Sequence, residues 1–256
     1  MRKITINLAA VAAFCIVVAS PALVSSSCAT PKTEQEDTTI IREDSGITAL
    51  KYSSPEVPAS IEFCGKTIDL SRFDRHERMD RELLAFTYMH STSLQMLKKA
   101  NCYFPIVEPI LKENGIPDDF KYLMVIESNM NPTARSSAGA AGLWQFMQGT
   151  GRDYGLEVNN NVEERYRIEK ATRAACRYLK DAYAKYKDWV AVAASYNAGQ
   201  ARIASQLAKQ DVDDSLDLQL VEETARYVYR ILAAKQLFNA PRSEEHTSEL
   251  QSPIHL

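Results

Sequence analysis

Histidine is scarce and scattered. His76, His90, His246 and His255 form no cluster with the cysteines at metal-ligand spacing, so no resident metal is expected. The formal net charge is only −3 and lysine and arginine form no long run. A nucleic-acid partner leaves a basic stripe or patch, and none is expected here. No glycine-rich phosphate loop is present, which removes the usual nucleotide-binding readings, and no cofactor is expected. Strand signal is sparse and no internal repeat is visible, so the fold class is read as mainly α.

What is there begins at the N-terminus. Arg2 and Lys3 precede an apolar stretch from Ile4 to Leu23, and Ser25, Ser26 and Ser27 lead into Cys28. A basic start, an apolar centre and a small-residue exit make residues 1–28 an export signal. The alternative is a membrane anchor, but the fully apolar part, Leu8 to Ala19, is short for a span of ~20 residues. A cysteine just after the apolar centre resembles the bacterial lipoprotein signal, which makes Cys28 a lipidation candidate. Ser25 departs from that pattern, which prefers Leu there. Such an anchor would tether a soluble domain to a membrane, placing the protein in the periplasm, with the outer membrane as the candidate site of attachment. Cys64, Cys102 and Cys176 leave two readings open, one disulfide with a spare thiol or three free thiols.

Residues 29–71 read as a polar, proline-bearing linker and lead-in, with Ile61 to Leu70 as a short strand or irregular segment. The pattern predicts helices over 72–99 and 104–114, the second closed by Gly115, and a third helix whose first turn suits Pro117, Asp118 and Asp119. Further helices are expected over 167–187, over 189–198 with Asp188 as cap and Gly199 as stop, over 202–209 and over 222–238. Residues 72–240 are thus taken as one helical domain. Residues 241–256 lack an amphipathic period and resemble translated sequencing-adapter read-through, and they are expected to stand outside the fold.

On the third helix, Phe120, Leu123 and Met124 lie seven, four and three positions before Glu127 and therefore share its face. A carboxyl group on an apolar stripe meets either a cleft or a buried arginine. Burial disfavours its charged form and raises its pKa, and a two-unit rise corresponds to about 2.7 kcal/mol. After Glu127-Ser128 comes a loop of small residues, Ser136 and Ala138 to Gly142, which lets backbone approach a bulky ligand. Trp144 and Phe146 follow, suited to stacking on sugar or to core packing.

Glu127-Ser128, Gly142-Leu143-Trp144-Gln145, Ser195-Tyr196-Asn197-Ala198-Gly199 and Glu223-Thr224 with Tyr227-Val228 occur in order. Together they resemble the soluble-lytic-transglycosylase catalytic-domain family, over about residues 105–238. Within it the Gly-Leu-Trp-Gln-Phe-Met form is most similar to the membrane-bound lytic murein transglycosylase D group. The resemblance implies a lysozyme-like helical domain with a substrate groove. It also implies Glu127 as the catalytic acid/base, and Ser136, Gln145, Tyr196, Asn197 and Glu223 as substrate-binding residues, with the tyrosine near the carboxyl group. Gln148 stands where the family often has Pro. Ala225-Arg226 replaces the usual Arg followed by a variable residue, which leaves Arg226 without an assigned role. The family's lysin-motif repeats are not seen.

The implied partner is the peptidoglycan glycan strand, and the implied reaction is non-hydrolytic cleavage. Glycoside cleavage needs an acid at the leaving oxygen, and hydrolases usually add a second carboxylate. None lies between Ser128 and Thr150. The family's solution reuses one glutamate as the base that closes a 1,6-anhydro ring. A goose-type muramidase, which hydrolyses, and an inactive wall-binding domain are the alternatives.

Overall fold

In the structure, a computed structural model, residues 55–239 are described. They begin with a hairpin of β1 (Ser60–Phe63) and β2 (Lys66–Asp69), paired antiparallel with Ile61 opposite Ile68. Cys64 and Gly65 turn it at φ 54° and 81°, the left-handed pair that a two-residue hairpin turn requires. Where the sequence allowed a strand or an irregular lead-in, the chain forms this hairpin and buries Ile61, Phe63, Ile68 and Leu70 in the main core. The Cys64 N–H donates to Asp119 Oδ2 at 2.7 Å, and Lys235 Nζ bridges Asp119 and the Glu62 carbonyl. The hairpin is thereby fastened to two later helices.

The rest is helical, as the sparse strand signal implied: α1 (Phe73–Tyr88), α2 (His90–Glu113), α3 (Phe120–Ser128), α4 (Gln148–Asp153), α5 (Ile168–Tyr186), α6 (Trp189–Ala198), α7 (Gln200–Lys209) and α8 (Glu222–Asn239). The helix expected over 72–99 is broken at Met89, which sits at φ −86° and ψ 41°. Ser93 Oγ donates to the Phe86 carbonyl at 2.6 Å and closes the end of α1. The next helix starts early and runs through Pro105 and Pro109. Each proline forfeits one helical hydrogen bond, but Met96, Ala100, Val107 and Leu111 bury one continuous stripe that outweighs the loss.

Helix α3 buries Phe120 and Tyr122 through Ile126, which cover most of its circumference, so it lies largely inside the molecule. A turn over Pro117–Asp119 precedes it, and Asn129 and Met130, both at positive φ, end it. Asp188 caps α6 by accepting from Val190 N at 2.9 Å, and Gly199 stops it at φ 85°, as the sequence indicated. Helix α8 packs on α1, α3 and α6 and is the element through which the core closes. No helix among the described residues is long and apolar enough to cross a membrane. Cys64, Cys102 and Cys176 are free thiols, so the disulfide reading falls. The export signal, Cys28, most of the linker and the 241–256 tail lie outside the described residues.

Candidate active site

Glu127 occupies the last turn of α3, on the face that also carries the fully buried Phe120, Leu123 and Met124. It keeps a partial opening to solvent while protein packs densely around its carboxyl group. The Tyr227 hydroxyl on α8 donates to Glu127 Oε1 in a short hydrogen bond. Burial pushes the Glu127 carboxyl up to about 7. The Tyr227 hydrogen bond and the charge of Arg230 oppose that rise, and the nearby Glu223 carboxylate adds to it. At neutral pH the group is therefore poised between its acid and base forms.

Tyr196, on α6, lies in the same pocket of charge: burial raises its phenol well above the ordinary value, and Glu127 raises it further. Its hydroxyl does not bind the carboxylate. It donates to the Trp144 carbonyl at 2.8 Å, while its ring packs edge-on against Tyr178 at 5.1 Å. The phenol that touches Glu127 is Tyr227, on α8, which the sequence marks only as part of a motif. The Glu223-Thr224 and Tyr227-Val228 motif held the signal, but nothing local indicates where a buried hydroxyl points.

The other sequence candidates line the surroundings. Gln145, at φ 47°, spends its amide Nε2 on the Gly142 carbonyl at 2.8 Å and the Ala134 carbonyl at 3.2 Å. It tightens the small-residue loop from inside. Ser136 Oγ accepts from Ala140 N at 3.0 Å at the exposed edge of that loop. Asn197 Oδ1 accepts from Thr224 Oγ1 at 2.8 Å, tying α6 to α8. Glu223 is exposed on the first turn of α8. Trp144 and Phe146 are buried, so of their two readings core packing holds; Trp144 Nε1 donates to Thr172 Oγ1 at 2.9 Å.

Two arginines were not foreseen. Arg165, 3% exposed, donates from Nη1 to the carbonyls of Gly139 and Phe146 at 2.8 Å each and pairs with Glu163. It pins the loop from below. Close approach is built into this spot: a Cβ on Gly142 (φ +80°) would lie 2.0 Å from the Arg165 carbonyl oxygen. Arg226, left without a role by the sequence, forms an ion pair with the buried Glu82 of α1. Among the described residues no group of three metal-ligating side chains converges. A recess of about 890 Å³ opens beside Ile106, residues 161–164 and residues 166–170, and none of the candidate residues lines it.

Residues 105–217 match the family model of the Transglycosylase SLT domain. Over 166 residues the chain is 30% identical to membrane-bound lytic murein transglycosylase D of Escherichia coli (strain K12), covering 63% of this chain and 36% of that protein. It is also 30% identical over 123 residues to peptidoglycan transglycosylase gp16 of Escherichia phage T7, covering 46% of this chain and 9% of that one. An inactive mutant of the lytic transglycosylase Slt from Pseudomonas aeruginosa aligns in structure with a TM-score of 0.46 and 21% identity, covering 57% of this chain and 24% of that chain. The chain thus spans about a third of the length of the curated relative named first.

Proposed function

We propose, on the premise that residues 105–217 are a transglycosylase SLT domain, that this protein is a lytic transglycosylase acting on peptidoglycan, the polymer named for its curated relatives. The observation that carries the reading is the Glu127–Tyr227 pair: one carboxyl group with its pKa raised to about 7, in hydrogen-bond contact with a buried phenol.

The chemistry follows from that group. Protonated Glu127 donates to the oxygen of the bond between N-acetylmuramic acid and N-acetylglucosamine, as oxocarbenium character develops on the muramic acid. The leaving sugar takes the proton and departs. Glu127, now a carboxylate, removes the proton of the muramic acid 6-hydroxyl, whose oxygen bonds to the anomeric carbon and closes a 1,6-anhydro ring. Glu127 ends protonated and no water is consumed. Tyr227 steadies the carboxylate form between the two steps, since a hydrogen bond to the charged form favours it. In this reading residues 72–240 are the lysozyme-like catalytic domain, with Ser136, Gln145, Tyr196, Asn197 and Glu223 as walls of the substrate groove.

Mass spectrometry of muropeptides from digested sacculi tests the reaction. The expected ends are 1,6-anhydro-muramic acid, about 18 mass units lighter than hydrolysis products because no water is added. Reducing muramic acid as the main product would reject the assignment. It would favour the muramidase reading. Export and attachment through Cys28 belong to the same proposal, supported by the basic start, apolar centre and serine-rich exit of residues 1–28. Cys28→Ala should move the protein from the membrane fraction to the soluble one, and equal distribution of both forms would reject lipidation.

A further inference from the structure

Helix α8 carries Tyr227 to Glu127, and its first turns are clamped from two sides. On one side Thr224 donates to Asn197 of α6. On the other stands α1, a helix that precedes the family match altogether. Glu82 of α1 is 2% exposed, and Arg226 donates to it from Nε at 2.7 Å and from Nη2 at 3.2 Å, one N–H to each carboxylate oxygen. Arg81 completes the arrangement, 3.3 Å from Glu82 and 2.7 Å from Glu222 at the start of α8.

The residue after Arg226 is Tyr227. We propose that Glu82, through its two-pronged pair with Arg226, is a positioning residue that sets the rotation of α8 and so holds the Tyr227 hydroxyl on the Glu127 carboxyl group. This rests on the catalytic reading of Glu127 given above. A buried ion pair contributes little net stability compared with well-packed apolar residues of the same size. What the forked guanidinium adds is geometry, because its two N–H groups fit one carboxylate in one orientation. In a helix, neighbouring residues are rigidly related, so fixing Arg226 against α1 fixes the direction of Tyr227. The placement also gives the Ala225-Arg226 departure from the family pattern a function: the arginine sits where it reaches α1.

The test is the ionisation of Glu127 itself, followed by carbon NMR titration of its carboxyl group in the full chain, so that it needs no turnover. The groups that face this carboxyl are Tyr227, Glu223 and Arg230 from α8 and Tyr196 from α6, all left intact by a change at Glu82. Glu82→Gln keeps the volume and removes the charge. Its expected effect is an upward shift of the Glu127 titration, the same direction as that of Tyr227→Phe. In a Tyr227→Phe background the same substitution should add no further shift. An unmoved titration in Glu82→Gln overturns the proposal, as does a shift that persists in full without the Tyr227 hydroxyl.

If Glu82→Gln does not fold, Arg226→Lys serves instead. It keeps the charge on the half-exposed side, loses the fork, and should move the titration the same way by less; a wild-type titration there again overturns the proposal. Failure of the catalytic reading would show separately, as cleavage surviving in Glu127→Gln, with the titration result standing on its own.

Discussion

The Tyr227 hydroxyl reaches Glu127 across 100 residues of sequence and is the hydrogen-bond partner of that carboxyl group among the described residues. The bond favours the carboxylate, against a burial effect that favours the acid. Tyr227→Phe should therefore raise the Glu127 pKa beyond about 7. A hydrogen bond to a charged group is worth roughly 1.5–3 kcal/mol, or about one to two pKa units. The basic limb of the pH–kcat profile, where the acid form is lost, should move up by about that amount. A limb that stays in place would show that Tyr227 does not tune the acid.

Tyr196→Phe should behave differently, because its hydroxyl serves the Trp144 carbonyl instead. Its loss leaves a buried acceptor unpaired and should cost about 1–3 kcal/mol in urea denaturation. The basic limb should shift much less than in Tyr227→Phe. A larger shift than that of Tyr227→Phe would reverse the roles assigned to the two phenols.

Glu127→Gln should abolish cleavage, a loss of at least about 10²-fold, since Gln donates no acid proton. Its effect on stability depends on pH. The folded-state pKa of about 7 exceeds the ordinary value of 4.5, so folding favours the protonated carboxyl. That contribution is fully present below the ordinary value and is lost as pH rises through 7. The Gln variant should match wild type near pH 4 and exceed it above pH 7 by up to about 3 kcal/mol. Paired denaturation curves at the two ends of that range check it, and a constant difference would contradict the raised pKa.

Gly142→Ala should be among the most damaging single changes. It combines a positive φ with a Cβ only 2.0 Å from a backbone oxygen that cannot swing away. A loss of at least about 2 kcal/mol is expected in thermal denaturation, together with loss of activity as the loop leaves its seat. An unchanged melting temperature would mean that Arg165 and the loop separate easily.

Much of this was legible in the residues. The stop at Gly199, the cap at Asp188 and the shared face of Glu127 with Phe120, Leu123 and Met124 are local matters of backbone freedom and helical period, and short stretches of sequence encode them. The break at Met89 was not legible, because neither glycine nor proline marks it, and Ser93 reaches back to the Phe86 carbonyl to make it. The sequence placed the second helix over 104–114, whereas the buried stripe of α2 joins that stretch to the residues before it in one helix from His90. At the site, sequence found the carboxyl group but not its donor. Tyr227 lies on the same stripe as Ile231 and Ala234, and an aromatic there reads as core; only the packing of α8 on α3 reveals where its hydroxyl goes. Arg165 was missed for the same reason, since its loop partners, Gly139 and Phe146, are carbonyls and leave no mark on side-chain pattern.

The position of α8 at the end of the described chain, wedged among α1, α3 and α6, bears on the order of synthesis. A ribosome delivers Glu127 about a hundred residues before it delivers Tyr227, and N-terminal parts begin to fold first. Until α8 has emerged and docked, the carboxyl group has neither its donor nor the protein that surrounds it from that side. A nascent or truncated chain lacking α8 therefore holds the glutamate motif without its tuned acidity, and on the proposed reading the site is complete only once that helix has docked.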